Sequence, residues 1–544
     1  MTHEAPSDDR AALVSALQRP DAYPDRPASV EMVETHISNL FMAGEYVYKV
    51  KKPVDFGFCN FTTLELRRDY TFRELELNRR LTDDVHLGVE EVRRDDNGAY
   101  SIGGPGTTVE YALKMRHLPP DRTLSTLVRS GLAGEAAVRH IARVIAQFHG
   151  RAAQAPEAPG FGSHPMVSDL VLDNVERAAQ ASGRFTDDAT LADVRAYSKA
   201  FLDVRRPLFH ARFASRRIRE CHGDLHAGNV FLENDSSSPD GIKVQVIDCI
   251  EFNDSLRFID PAADIAFMAM DLEHMGRQDL ADAFVDEYVK AGGDQGVRPL
   301  LPFYMAYRAM VRCLINGLIA GDQPASSTKP EAAEAQSYAE LAESIAGRDR
   351  PQALFIMAGP TGSGKSTVAR LVAERWGIEH FQTDVIRKLL AGLDPAAKTG
   401  DGVAAGIYSE QMSHRTYREL ENRGARILSQ GLPVIMDGTF LRRRHRKSAA
   451  DVGRRYGVPV VIIECSLEEA ETIARLEQRY ASDTSESEGR PEVYQRQRGA
   501  WQPVRDDEAD AVVRVNTAGD QAAMYDRALY DLWRAVLRIS KPRS

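Results

Sequence analysis

"CHGDLHAGNVF", residues 221–231, sets a His, an Asp and an Asn around two glycines, with a second His four residues after the first. Three readings compete for it: a metal-binding histidine pair, a plain turn, and a loop that performs phosphoryl transfer. A metal pair needs His222 and His226 on one helical face, but Gly223 and Gly228 disfavour a helix. No third ligand with metal-site spacing stands nearby. The third reading uses H-x-D-x-x-x-x-N, in which the Asp takes the proton of an acceptor hydroxyl and the Asn five residues on binds Mg²⁺. Asp224 and Asn229 keep that interval. Such a site also needs a second Mg²⁺ carboxylate at the end of a following strand, and "VQVIDCIEF" (244–252) supplies Asp248. Upstream it needs a strand lysine for the phosphates and a helical glutamate to pair with it. "EYVYKV" (45–50) offers Lys49 and "FRELELNRRL" (72–81) offers Glu74, in that order. A surface Lys or a helical Glu alone means nothing; the ordered set is what carries the reading.

A different phosphate-binding device lies further on. "GPTGSGKST" (359–367) fits G-x-x-x-x-G-K-[ST], following the apolar run "ALFIMAG" and opening the amphipathic run "KSTVARLVAERW". Gly359, Gly362 and Gly364, with Pro360, Thr361 and Ser363 between them, form a loop whose backbone N–H groups, absent only at Pro360, turn inward around phosphate oxygens. Lys365 is placed for the β- and γ-phosphates, the Ser366 hydroxyl for Mg²⁺, and Thr367 closes the nucleotide-binding run. "VIMDGTF" (434–440) ends an apolar strand on Asp437, the place of a Mg²⁺-directed carboxylate. In "FQTDVIRKLL" (381–390), Asp384 stands where an acceptor hydroxyl is held and deprotonated, or where a helix N-cap is needed. "RLEQRYASDTSESEGRPEVYQRQR" (475–498) has arginines on both sides of a polar stretch. It reads as a lid carrying Arg479 or Arg490 to the γ-phosphate, or as a solvated loop. The basic run Arg442–Lys447 reads as a solvated helix start or as a contact for a nucleic-acid end.

The 544 residues exceed one core and allow several folding units. Composition is globular, and a net charge of -10 argues against a general nucleic-acid coat without excluding a local patch. Five scattered cysteines with no C-x-x-C pair, and no apolar leader in "MTHEAPSDDR", give the expectation of a cytoplasmic protein. The longest apolar runs are strand-sized, so no membrane span is expected. A turn-rich, then Ala/Glu-rich stretch near 321–351 separates two patterns. Before it, strand-like segments give way to helices, an α+β two-lobed arrangement; after it, βα units alternate as in a parallel sheet.

Two resemblances follow from these motifs. "HGDLHAGNVF…VIDCIEF…DPAADIA" resembles the aminoglycoside phosphotransferase and choline kinase-like family, with Gly223 in place of the Arg of protein kinases. It implies a two-lobed protein-kinase-like fold. Asp224 would be the base, Asn229 and Asp248 the Mg²⁺ ligands, Lys49 the phosphate contact and Asp264 a brace of the loop. Ser38 and Asn39 of "HISNLF" take the place of the glycine-rich loop. Residues 352–540 resemble the small P-loop kinases, the group of gluconate kinase, chloramphenicol phosphotransferase, zeta toxins and polynucleotide kinase. The whole resembles bacterial fusions of these two parts. The expected division is an extension over 1–30, a phosphotransferase-like part over 31–325, a linker helix over 326–351 and an α/β P-loop part over 352–544. The expected activity is ATP- and Mg²⁺-dependent transfer to a small-molecule hydroxyl. The rivals are one catalytic part with a nucleotide-sensing partner, or a nucleic-acid end kinase. Neither the acceptors nor the oligomeric state follow from the sequence.

Overall fold

The computed structural model describes residues 8–57, 59–236, 241–322, 330–395, 406–482 and 490–540. Contacts divide the chain into two compact units that interleave along it: one takes residues up to 167 and 208–309, the other 168–207 and 310 onward.

The first unit opens with helix α1 (Asp8–Leu17), then strands β1 (Val30–Glu34), β2 (Ser38–Ala43) and β3 (Tyr46–Lys51). Helix α2 (Leu64–Asn78) follows, started by Thr63, whose hydroxyl accepts from the Leu66 N–H at 3.2 Å. Strands β4 (His86–Arg94), β5 (Tyr100–Ile102) and β6 (Thr107–Arg116) complete a six-stranded antiparallel sheet of order β1-β2-β3-β6-β4-β5. The segment expected as an extension is partly folded onto it: Leu13, Ala16 and Leu17 of α1 are buried in one cluster with Phe41, Tyr48 and Val50. Beyond the sheet the chain is mostly helical, with α3 (Leu124–Arg129), α4 (Glu135–Arg151), α5 (His164–Ser182), α6 (Asp188–Val204) and α7 (Arg206–Ala214). Next come β7 (Arg219–Glu220), β8 (Val230–Asn234), β9 (Ile242–Val246), α8 (Asp254–Arg257) and β10 (Phe258–Ile259). They form two small ribbons, β7 with β10 and β8 with β9. The loop 221–229 lies between β7 and β8. Helix α9 (Pro261–His274) is capped by Asp260 with proline at its first position, and α10 (Gln278–Gly292) packs against α4 and α9.

The second unit takes in most of α5, all of α6, the later part of α11 (Leu301–Asp322) and α12 (Pro330–Gly347), the expected Ala/Glu helix, which packs on α6. Its sheet is wholly parallel, of order β12-β13-β11-β14-β15, with β11 (Leu354–Ala358), β12 (Glu379–Gln382), β13 (Val434–Asp437), β14 (Val460–Ser466) and β15 (Ala511–Asn516). Interspersed are α13 (Lys365–Trp376), α14 (Thr383–Leu390), α15 (Glu410–Ser429), α16 (Arg443–Arg455), α17 (Glu469–Ser482), α18 (Pro491–Ala500) and α19 (Gln521–Ile539). β11 and β13 are buried along their whole length, as expected of strands covered on both faces.

One polar node sits inside this unit. Asp193 of α6, fully buried, accepts from the indole N–H of Trp376 at 3.1 Å and of Trp533 at 2.9 Å, and forms an ion pair with Arg350. The guanidinium lies over both indole rings, 5.0 Å from each centroid. Burying the carboxylate and the two indole N–H groups is tolerated because each finds a partner. Among the described residues no helix is long and apolar enough to cross a membrane.

Candidate active sites

In the first unit, strand alternation puts Lys49 and Lys51 of β3 on one face, two residues apart. Both reach Glu74 of α2: Lys49 Nζ lies 2.8 Å from Oε1 and Lys51 Nζ 2.7 Å from Oε2. Lys49 also lies 2.7 Å from Asp248 Oδ1, and Lys51 pairs with Glu251. Burial opposes the charge of Glu74, but the two ammoniums outweigh it and hold the carboxyl down at about 2. Burial opposes the charge of Lys49 as well; Asp248, Glu74 and Glu251 overcome it and keep the ammonium well above the usual lysine range. Burial pushes the Glu251 carboxyl up. The expected Lys49–Glu74 pair is thus present, enlarged by Lys51 and Glu251, which the sequence did not single out.

Asp248 lies two residues past the end of β9, exposed, with a φ of 61°. A left-handed backbone at a non-glycine residue is a strained position, often found at functional sites. Asp224 and Asn229 are joined directly: the Asn229 amide donates to the Asp224 carboxylate at 3.1 Å and to its backbone carbonyl at 3.0 Å. Burial raises the Asp224 carboxyl, but His226 and His222 more than compensate and leave it far below the usual carboxylate range. His226 Nδ1 also accepts from the Gly228 N–H at 3.1 Å, while its Nε2 lies 3.6 Å from the Asp224 carboxylate.

The loop is held from beneath. Asp264 of α9 accepts from the His222 N–H at 3.0 Å and the Gly223 N–H at 2.9 Å, and contacts His149 Nε2 of α4 at 3.1 Å. Asp271, two turns on, accepts from the Ala227 N–H at 2.9 Å. Gly223 has a φ of 88°, and a Cβ there would stand 2.7 Å from the Leu256 carbonyl. Ser38 and Asn39 fall at the start of β2, opposite Lys51 and Val50, both buried. Among the described residues Ser38 Oγ and Asn39 Oδ1 have no hydrogen-bond partner.

In the second unit, the loop after β11 carries Gly359 at φ 147°, Gly362 at 80° and Gly364 at 81°. Each glycine is also needed for space: a Cβ would come within 2.6 Å of the Cys465 carbonyl, 2.7 Å of Thr472 and 2.8 Å of Thr517 respectively. Thr517 fixes the loop by donating to the Ser363 carbonyl at 2.9 Å, and the Thr361 N–H donates to Gln497 Oε1 of α18 at 2.7 Å. Lys365 and Ser366 begin α13. The register pairs Met357 of β11 with Asp437 of β13, so the loop and the carboxylate leave adjacent strands at the same sheet edge. Asp437 is buried, with His380 Nε2 3.2 Å away.

Asp384 is not the cap of α14, a position held by Gln382; it pairs with Arg387 at 2.6 Å. Arg442 is the N-cap residue of α16, so the basic run is a helix start. One cavity of about 1710 Å³ is lined by Thr361, Lys365, Ser366, Asp384, Asp437 and both flanking arginines, Arg479 and Arg490. The polar stretch between those arginines, 483–489, lies outside the described residues. Gln497, His380 and Thr517 went unnoticed in the sequence; none belongs to a spaced motif.

The "Phosphotransferase enzyme family" description matches residues 117–303, and the "AAA domain" description matches 354–504. Uncharacterized proteins of Mycobacterium bovis and Mycobacterium tuberculosis are 31% identical over 528 residues, covering 95% of this chain and 98% of theirs. Among solved structures, a thermostable mutant of aminoglycoside phosphotransferase APH(4)-Ia aligns at 15% identity over 58% of this chain and 96% of its own, with a TM-score of 0.34. A gluconokinase from Sinorhizobium meliloti 1021 aligns at 21% identity over 34% of this chain and 94% of its own, with a TM-score of 0.25.

Proposed function

Because this chain belongs to the family of its full-length mycobacterial relatives, an aminoglycoside phosphotransferase/choline kinase-like part joined to a P-loop kinase part, we propose that it has two working nucleotide sites. It is a phosphotransferase acting on hydroxyl groups. In our reading each site takes ATP with Mg²⁺ and a small-molecule acceptor. Residues 31–325 carry the first site and 352–544 the second.

The observation that carries the first site is Lys49 bridging Glu74 at 2.8 Å and Asp248 at 2.7 Å. It brings three stretches far apart in sequence to one nitrogen. The oxygen donors of Asn229 and Asp248 suit Mg²⁺, a hard cation that prefers carboxylate and amide oxygens. The glycines of 359–364, whose space any Cβ would invade, suit a phosphate cradle at the second. Bound there, ATP·Mg²⁺ supplies a γ-phosphoryl group with its charge partly neutralised. The protein's share is positioning. Glu74 sets the Lys49 ammonium, Asn229 orients the Asp224 carboxylate, and Asp264 holds the loop beneath it. Kept ionised, Asp224 is ready to take the proton of an acceptor hydroxyl. At the second site Asp384, oriented by Arg387, has that task.

Nucleotide-binding stoichiometry tests the two-site reading. The full chain should bind two equivalents of a non-hydrolysable ATP analogue, and Lys365→Ala should lose one of them. A phosphate-transfer screen over sugars, aminoglycosides, nucleosides and oligonucleotide ends, with Asp224→Asn and Lys365→Ala in parallel, assigns each acceptor. A Lys365→Ala chain that keeps both equivalents and every activity would refute the second site.

A further inference from the structure

Several arginines of α15 and of α16, its N-cap residue included, differ in their partners. Away from the cavity, Arg423 of α15 pairs with Glu419 at 2.9 Å. On α16, Arg443 pairs with Asp507 at 3.0 Å, Arg446 with Glu508 at 2.7 Å and Arg454 with Asp451 at 2.8 Å. Arg415, Arg418, Arg442 and Arg444, exposed in the wall of the cavity that holds Lys365 and Asp437, make no ion pair among the described residues. Arg444 Nε donates to His445 Nε2 at 3.3 Å. Two carboxylates of α15, Glu410 and Glu421, share the wall; Glu421 is pushed up by burial, with Ser448 as its hydrogen-bond partner.

We propose that these four arginines form an anion subsite, and that the acceptor of the P-loop site is a small molecule already bearing a phosphate monoester. This rests on reading that site as a kinase. Guanidinium forks bind phosphate oxygens two at a time, and a phosphate monoester carries enough charge to engage more than one of them. The space fits two ligands: about 1710 Å³ exceeds the roughly 300–1,000 Å³ of a pocket for one. A long nucleic acid fits less well, since these arginines line a concavity and the chain's net charge is -10.

The test uses the full chain saturated with a non-hydrolysable ATP analogue and Mg²⁺, titrated calorimetrically with inorganic phosphate. Wild type should bind phosphate saturably. Arg415→Gln/Arg418→Gln and Arg442→Gln/Arg444→Gln should each weaken it by about tenfold or more, with Arg415→Lys/Arg418→Lys recovering part of the loss. Retained analogue binding shows that the variants are folded. No saturable phosphate binding, or equal affinity in every variant, overturns the proposal. So does tight, steeply salt-dependent binding of a 5′-hydroxyl oligonucleotide in place of phosphate. Lys365→Ala separates the two levels. If it removes one analogue site while phosphate binding ignores the arginines, the kinase reading stands and this inference falls. If it removes none, the kinase reading itself falls.

Discussion

Replacing Asp193 with Ala takes one carboxylate from three donors at once. The Arg350 side chain keeps 18% exposure, so breaking its pair with the fully buried Asp193 belongs at the lower end of the usual cost, about 3 kcal/mol. Each indole N–H left without an acceptor adds about 1 kcal/mol, giving about 5 kcal/mol in all. Asp193→Asn keeps an oxygen for the two indoles and loses only the charge, so it should cost about 2 kcal/mol less than Ala. The chain's three tryptophans, Trp376, Trp501 and Trp533, all lie in the second unit, so their fluorescence reports that unit alone. At a urea slope of about 2.5 kcal/mol/M, the Ala variant should move the midpoint down by about 2 M. A midpoint within about 0.5 M of wild type, or Ala and Asn variants that coincide, would show that the node does not hold the unit together.

Three further outcomes follow from the first unit. Asp224→Asn should lower kcat at that site by about 10²–10⁴, read by phosphate transfer once an acceptor is in hand. Glu74 is held at about 2, below the usual 4.5, so its stabilising contribution is complete above about pH 4.5 and lost as pH falls toward 2. The gap in thermal midpoint between wild type and Glu74→Gln should therefore close on acidification through that window; a gap that widens contradicts the assignment. Gly223→Ala, with a φ of 88° and a carbonyl 2.7 Å from the new Cβ, should cost about 1–3 kcal/mol in denaturant and depress turnover at the first site.

What the sequence disclosed depended on whether a feature is local. The glycines of 359–364 and the Asp224–Asn229 interval are runs in which spacing alone encodes geometry: the glycines take positive φ values, and the Asn229 amide donates to the Asp224 carboxylate. The Lys49–Glu74 pair was accessible through chain order and strand–helix logic. Lys51 and Glu251 were not, because a lone Lys or Glu has no spacing to betray it, and their pairing appears only once β3, α2 and the loop after β9 meet. Asp264 was anticipated as a brace, whereas His149 and Asp271 needed α4 and α9 in place. Amphipathic helices gave a similar limit. Periodicity states that α6 has a buried face but not which residues cover it, so its allegiance to Trp376 and Trp533 was invisible.

That allegiance bears on how the protein can be taken apart. A protease nick or a gene split anywhere between residues 325 and 350 leaves the P-loop sheet on one fragment and Asp193 on the other. The C-terminal fragment then starts life with two indoles and a guanidinium whose shared acceptor has gone. It should be insoluble or loosely folded when expressed alone, and recover order when a peptide spanning α6 is supplied in trans. Modularity in the motifs, in other words, does not make for modularity in the fold.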